Sequence, residues 1–282
     1  MRMNLTSPSQ IKAWCIENGF HPNRTLGQNF LIDLNTLRGI VDAGFAGMNP
    51  EGLKVLEIGP GLGVMTEEML ARGAQVTAVE KDPILAARLA EALENPPGLA
   101  VYAADALDYL ARGPEQTAVG IADARQTGTF DCLVSNLPYQ AGTRILLDLV
   151  SLRTIPVLTA LVQTEVAERL AAKEGTKTRG LAGVWAQLDY DVQIVRRVSA
   201  GCFWPRPEVG SSVVRLTRHD RNVSLSAEER HLFRNITKTA FAHRRKQLGT
   251  VFKDMIQSTA RAEELSNENW IDLVKGLLHE NT

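Results

Sequence analysis

The sequence predicts an α/β protein: a doubly wound, largely parallel sheet followed by a small, all-helical C-terminal domain. Three observations carry this. From Lys54 to about Val162, short continuous apolar runs alternate with longer stretches of helical periodicity, the pattern of fully buried strands joined by crossover helices. Past about Leu170, Val192–Val198 and Ser212–Thr217 alternate apolar with polar residues, as an antiparallel pair at a sheet edge does. After Arg221 the composition changes to that of an amphipathic helical segment.

In chain order, the buried strands are Lys54–Ile58, Gln75–Val79, Leu99–Ala103, Phe130–Ser135 and Val157–Val162, each bounded by Gly, Pro or polar residues. The first crossover helix runs from about Gly63 to Arg72. The second covers Pro83–Leu93, with Asp82 placed to cap its exposed N–H groups and Pro83 at the first helical position, where a missing N–H is harmless. A third spans about Thr143 to Ser151, and right-handed crossovers through all three give the doubly wound sheet. The stretch 112–129, with Gly113, Pro114, Gly120 and Gly128, has no period and reads as a surface excursion without assigned function. Near the C-terminus, Ser226-Ala-Glu-Glu229 matches a capping box, and Leu232, Phe233, Ile236 and Ala240 follow at helical spacing. The expected division is one domain of residues 1–220, with an N-terminal segment 1–25, and a helical domain of residues 221–282.

Composition excludes several classes. With 282 residues, 44% hydrophobic and 22% charged, the chain is neither disordered nor a disulfide miniprotein, and it can bury more than one core. Cys15, Cys132 and Cys202 are far apart and lack C-x-x-C or His partners at ligand spacing, so neither a disulfide framework nor a metal site is expected and a reducing cytoplasm is the simplest setting. No signal-peptide core and no apolar run long enough to span a bilayer is present, so no membrane partner is expected. The formal net charge of −1 argues against a polyanionic partner until it is resolved along the chain. Residues 141–253 hold 19 basic and 10 acidic side chains, whereas residues 1–140 hold 10 and 16. A segregated cationic region is the footprint of phosphate contacts.

The chemistry lies at successive strand ends. In Val55-Leu-Glu-Ile-Gly59-Pro-Gly61-Leu-Gly63, Gly59 and Gly61 let the chain turn sharply and bring its backbone against a bound cofactor. The position three after Gly61 is Val64, so the dinucleotide spacing G-x-G-x-x-G is absent, and no Lys-Ser/Thr follows for a phosphate loop. A cofactor without phosphate fits better, and S-adenosylmethionine is one. Glu80 ends the second strand, where a carboxylate accepts both hydrogen bonds of a ribose diol; Asp105 follows the third, placed for an adenine amino group. Immediately after the fourth strand comes Asn136-Leu137-Pro138-Tyr139. An exocyclic aromatic amine is a poor nucleophile because its lone pair is delocalised. An Asn oxygen and a backbone carbonyl fixed by the following proline accept both amine hydrogens and favour a pyramidal nitrogen, while Tyr139 offers a stacking face. The bland alternative is an Asn-Pro turn beside a core tyrosine.

These motifs, with Leu26-Gly-Gln-Asn-Phe-Leu31, Val162–Leu170, Phe203-Trp-Pro-Arg-Pro-Glu-Val-Gly-Ser-Ser-Val-Val-Arg-Leu216 and Phe241-Ala-His-Arg-Arg-Lys-Gln-Leu248, resemble the small-subunit ribosomal RNA adenine dimethyltransferases over most of the chain. The resemblance implies a class I, Rossmann-like methyltransferase fold with S-adenosylmethionine as methyl donor. It implies that Asn29, Leu31, Gly59, Glu80, Asp105 and Asn136 contact the donor, that Asn136 to Tyr139 hold the target adenine, and that Phe203 is a second aromatic beside it. The expected reaction is N6,N6-dimethylation of two adjacent adenosines near the 3′ end of 16S ribosomal RNA in a 30S precursor, by a monomer. Two departures bear on RNA docking: the chain reads Glu208-Val-Gly210-Ser where the family has Lys-Val-Asp-Ser, and Arg179 stands where a Tyr is frequent.

Arg196-Arg197, Arg215, Arg218, Arg221 and Arg244-Arg245-Lys246 are the basic clusters. A charge run is ordinarily a solvated face, but with the resemblance Arg218, Arg221, Arg244, Arg245 and Lys246 read as phosphate contacts. Rival readings are an adenine-N6 methyltransferase acting on large-subunit ribosomal RNA or DNA, an assembly factor whose methylation is dispensable and, more remotely, a nicotinamide-dependent oxidoreductase. Trp185, Trp204 and Trp270 read as packing residues.

Overall fold

The computed structural model describes residues 4–22, 28–112, 119–120 and 130–279. The chain divides into two compact units, Met1–Thr164 with Gln193–Thr217, and Glu165–Val192 with Arg218–Thr282.

The first unit opens with α1 (Pro8–Glu17), β1 (Phe30–Leu31) and α2 (Leu34–Phe45), the last capped by Asp33, whose carboxylate accepts from Thr36 N at 2.7 Å. Then come β2 (Lys54–Ile58), α3 (Val64–Ala71), β3 (Gln75–Glu80), α4 (Pro83–Ala92), β4 (Leu99–Ala103), α5 (Ala106–Arg112) and the short β5 (Val119–Gly120). They are followed by β6 (Cys132–Asn136), α6 (Gly142–Leu152), β7 (Val157–Gln163), β8 (Tyr190–Val198), β9 (Phe203–Trp204) and β10 (Ser211–Arg218). The five buried strands fall within a residue or two of their expected places. Asp82 caps α4 as its position predicts, accepting from Ile84 N at 2.9 Å and Leu85 N at 3.2 Å.

The main sheet has the order β5-β4-β3-β2-β6-β7-β10-β8. β4, β3, β2, β6 and β7 are parallel neighbours, whereas β10 runs antiparallel to β7 and β5 antiparallel to β4. The chain winds outward from β2 to β4, then returns to lay β6 against the other side of β2. That reversal opens a crevice at the carboxyl ends of β2 and β6, where ligands of doubly wound sheets bind. Val55, Val76, Val101, Val134 and Leu161 are among the buried residues that close the core around the sheet. Apart from it, β1 pairs antiparallel with β9, Leu31 opposite Phe203.

The second unit contains α7 (Thr164–Leu170), α8 (Leu181–Asp189), α9 (Ala227–Ala242), α10 (Leu248–Phe252) and α11 (Asn267–His279). The Ser226–Glu229 capping box forms in both directions, Glu229 N to Ser226 Oγ at 3.1 Å and Ser226 N to Glu229 Oε2 at 2.6 Å. The division departs from a single cut at 220/221, because Glu165–Val192 falls with the helices. Val184 and Leu188 of α8 are buried in one apolar cluster with Phe233, Ile236, Trp270 and Val274, and the Asp189 carboxylate takes two hydrogen bonds from Arg230 at 2.8 and 3.0 Å. Arg179 also belongs to this interior. At 1% exposure, its guanidinium donates to Ala172 O, Gln187 Oε1 and Asn267 Oδ1, so it ties α11 to the segment preceding α8 and presents no face to a ligand.

Candidate active site

A cavity of about 180 Å³ opens at the carboxyl ends of β2, β3, β4 and β6. All seven residues singled out as cofactor contacts line it: Asn29, Leu31, Gly59, Gly61, Glu80, Asp105 and Asn136. The strand-to-helix turn after β2 keeps its backbone close to the cavity. Gly61 has φ +59°, and a Cβ there would come within 3.2 Å of the Phe30 ring; Gly63 has φ +87°, with a Cβ position 2.4 Å from Leu89 Cδ1.

Among the described residues, the charged groups lining the cavity are Glu57, Glu80, Asp105 and Lys81. Glu80 accepts from Gly61 N at 3.0 Å on one oxygen and from Asp82 N at 2.9 Å on the other, leaving each oxygen a further lone pair for a hydroxyl. Burial pushes its carboxyl up to about 6, opposed by these backbone donors. Lys81 Nζ lies 2.8 Å from Asp105 Oδ2, and with Leu107 N on Oδ1 it holds the Asp105 carboxyl below its usual range. The one ammonium among these described residues is thus already paired. A pyrophosphate would meet carboxylates without a cation to neutralise it, whereas a cofactor carrying positive charge, a ribose diol and an adenine amine finds a partner for each group. The residues present fit S-adenosylmethionine.

Asn136 ends β6 at the edge of this cavity. Its Nδ2 donates to Asn29 O at 3.1 Å, which orients the amide and leaves Oδ1 without a donor among the described residues. Pro138 lines the same cavity, and its carbonyl is taken by Gly142 N at 2.7 Å, tightening the turn into α6. Leu137 is buried against Gly142, where a Cβ would come within 3.1 Å of the Leu137 Cβ. Tyr139 is half-buried, and its hydroxyl lies 2.5 Å from Ser211 Oγ at the start of β10.

The ribosomal RNA adenine dimethylase family model matches residues 19–276. The chain belongs to this family. The ribosomal RNA small subunit methyltransferase A of Deinococcus radiodurans is 42% identical over 213 residues, covering 75% of this chain and 67% of that protein. Two solved structures share the fold: a dimethyladenosine transferase from Plasmodium falciparum, with a TM-score of 0.69 and 19% identity over 89% of this chain and 98% of that one; and the 23S rRNA methyltransferase ErmE, with 0.65 and 24% over 88% and 99%. The protein is an S-adenosylmethionine-dependent ribosomal RNA adenine N6,N6-dimethyltransferase.

Other expected site residues of this dimethylase stand differently. Phe203 does not reach the cavity: it is 3% exposed and packed in the core opposite Leu31, so its ring offers no open face for a base. Of the cationic candidates, Arg221 pairs with Asp191 at 2.5 Å and Arg244 with Glu263 at 3.4 Å. The side chains of Arg245 and Lys246 are exposed and make no ion pair or hydrogen bond with the described residues, while Arg218 is exposed. Leu26 and Gly27 of the N-terminal motif and most of the 112–129 excursion lie outside the described residues.

Sequence reasoning passed over two charged residues of the cavity. Lys81 follows Glu80 directly, and a single lysine after a strand end has no pattern of its own. Glu57 is 1% exposed, its Oε2 accepts from the buried Thr66 hydroxyl at 2.6 Å, and burial, with the Glu80 carboxylate adding to it, pushes the group up to about 8. Its signal was one acid inside the apolar run Lys54–Ile58, which satisfies burial only if paired, protonated or functional.

Proposed function

We propose that the enzyme dimethylates two adjacent adenosines near the 3′ end of small-subunit (16S) ribosomal RNA within a 30S precursor, acting as a cytoplasmic monomer. The observation that carries this reading is the Asn136-to-Tyr139 turn at the rim of an acid-lined cavity, with the Asn136 oxygen oriented by its own Nδ2 and open to a donor. The 42% identity to a protein named for the small subunit supports the choice of RNA.

When bound, S-adenosylmethionine supplies an electrophilic methyl group on a sulfonium. Glu80 would hold the ribose diol and Asp105 the adenine amine, while Gly59, Gly61, Asn29 and Leu31 shape the backbone wall. Asn136 Oδ1 and the Leu137 carbonyl would accept the two hydrogens of the target amine, drawing its nitrogen toward pyramidal geometry. Tyr139 would stack on the base. Because the amine acquires positive charge on attack, it sheds its proton readily and no strong base is required of the site. Arg218, Arg221, Arg244, Arg245 and Lys246 would contact phosphates without reading sequence.

The test compares methyl incorporation into undermethylated 30S particles, 50S particles and duplex DNA, with Asn136→Ala as the control that removes the amine acceptor. The reading predicts two doubly methylated adenosines in 30S RNA and none with the variant. Incorporation restricted to 50S particles or DNA would overturn it.

A further inference from the structure

We propose that Ser211 is a positioning residue for the target base, acting through Tyr139; this rests on the adenine-holding role given to Tyr139 above. A base stacks on the face of a ring, and the para hydroxyl adds nothing to that face. Yet the Tyr139 hydroxyl lies 2.5 Å from Ser211 Oγ, and Ser211 is 1% exposed. The contact spans the sheet. Asn136, the last residue of β6, stands opposite Leu161 of β7, and Gln163 at the end of β7 stands opposite Ser211 at the start of β10. The tyrosine therefore reaches past the end of one strand to the next, and its ring plane is set by β10 as well as by the turn that carries it.

Ser211 is itself held on both sides. Thr164 N donates to Gly210 O at 3.0 Å, and the Thr164 and Ser212 hydroxyls lie 3.0 Å apart. Ser212 is fully buried and Thr164 partly so, which shields the hydroxyl pair from competing water. The anchor is thus preorganised by three residues in a row, none of which lines the cofactor cavity. A ring fixed at its root by backbone and at its tip by a buried hydroxyl keeps one tilt; a ring fixed only at its root rocks about its side-chain torsions. Catalysis that depends on aiming a nitrogen lone pair at one methyl group is sensitive to that tilt.

The experiment measures steady-state methylation of undermethylated 30S particles by Ser211→Ala, Ser211→Thr, Tyr139→Phe, Tyr139→Ala and the Ser211→Ala/Tyr139→Phe pair. Tyr139→Phe keeps the ring and deletes only the tether, so it tests the inference even where a β10 variant folds poorly. The expected result is a fall in kcat of roughly tenfold for Ser211→Ala and for Tyr139→Phe, with KM for both substrates within about twofold of wild type. The double variant should be no slower than the slower single one, as for two halves of a single contact, and Ser211→Thr should restore activity. Wild-type kcat in Tyr139→Phe, or losses that multiply in the double variant, would overturn the proposal while leaving the stacking role intact if Tyr139→Ala is inactive. An active Tyr139→Ala would instead remove the stacking role itself.

Discussion

Glu57→Gln should alter the pH dependence of stability in the ligand-free enzyme. In the fold, burial first and the Glu80 charge as well hold the Glu57 carboxyl at about 8, against 4.5 for the ordinary group, while the Thr66 hydroxyl opposes them. Between these values the native state keeps a proton that the unfolded chain has lost. Stability from this group is therefore fully present below about pH 4.5 and drains away as pH rises toward 8. One proton corresponds to about 1.4 kcal/mol per pH unit, so from pH 5.5 to 7.5 the wild type should lose about 3 kcal/mol that the Gln variant does not. The Gln oxygen still accepts from Thr66, and Glu80 titrates in both proteins, so the difference between the two curves isolates Glu57. Guanidinium unfolding at three pH values reads it. Parallel curves would show that Glu57 is ionised in the fold and refute the argument. As a corollary, a cationic cofactor should expel part of this proton on binding to the wild type and none from the variant, measurable by calorimetry in buffers of different ionisation enthalpy.

Gly63→Ala forces a side chain into φ +87° and places its Cβ 2.4 Å from Leu89 Cδ1, so thermal or denaturant unfolding should show a loss of about 2–4 kcal/mol; a change within 0.5 kcal/mol would contradict the packing described. Asp105→Ala removes the acceptor proposed for the adenine amine and strands Lys81, and should raise KM for S-adenosylmethionine about tenfold or more with kcat at saturation nearly unchanged. Arg245→Ala/Lys246→Ala should weaken 30S binding and reduce the magnitude of its log–log salt slope by about two. Arg221→Ala, which breaks an existing pair with Asp191, should change that slope less, and the reverse order would count against the assignment of these cations.

Local signals made the sheet and much of the cavity readable. The five parallel strands announce themselves as continuous apolar runs, and Asp82 and Ser226 mark their helices because capping is decided within three residues. Glu80, Asp105 and Asn136 were legible because strand ends at a sheet's carboxyl edge converge in space. What escaped was settled by partners distant in sequence. β1 and β9 are two residues each and pair across about 170 positions, so neither has a pattern of its own. The membership of α8 in the helical unit depends on Phe233 and Trp270, and the burial of Phe203 on its pairing with Leu31. Arg221 and Arg244 looked available because Asp191 and Glu263 are remote along the chain. α2 is a different case: Asp33 and the spacing of Leu37, Ile40 and Val41 carry its signal locally, and it went unassigned beside the motif that precedes it.

The excess of carboxylates around the cavity also bears on turnover. Two methyl groups on one nitrogen consume two donors, so the cavity must empty and refill for each finished base. Methyl transfer turns a sulfonium into an uncharged thioether, and walls bearing the Glu80 and Asp105 carboxylates hold the spent molecule with less charge attraction than the fresh one. The same side chains that draw the donor in thus favour exchange of product for donor, which gives the enzyme a direction through its paired cycles.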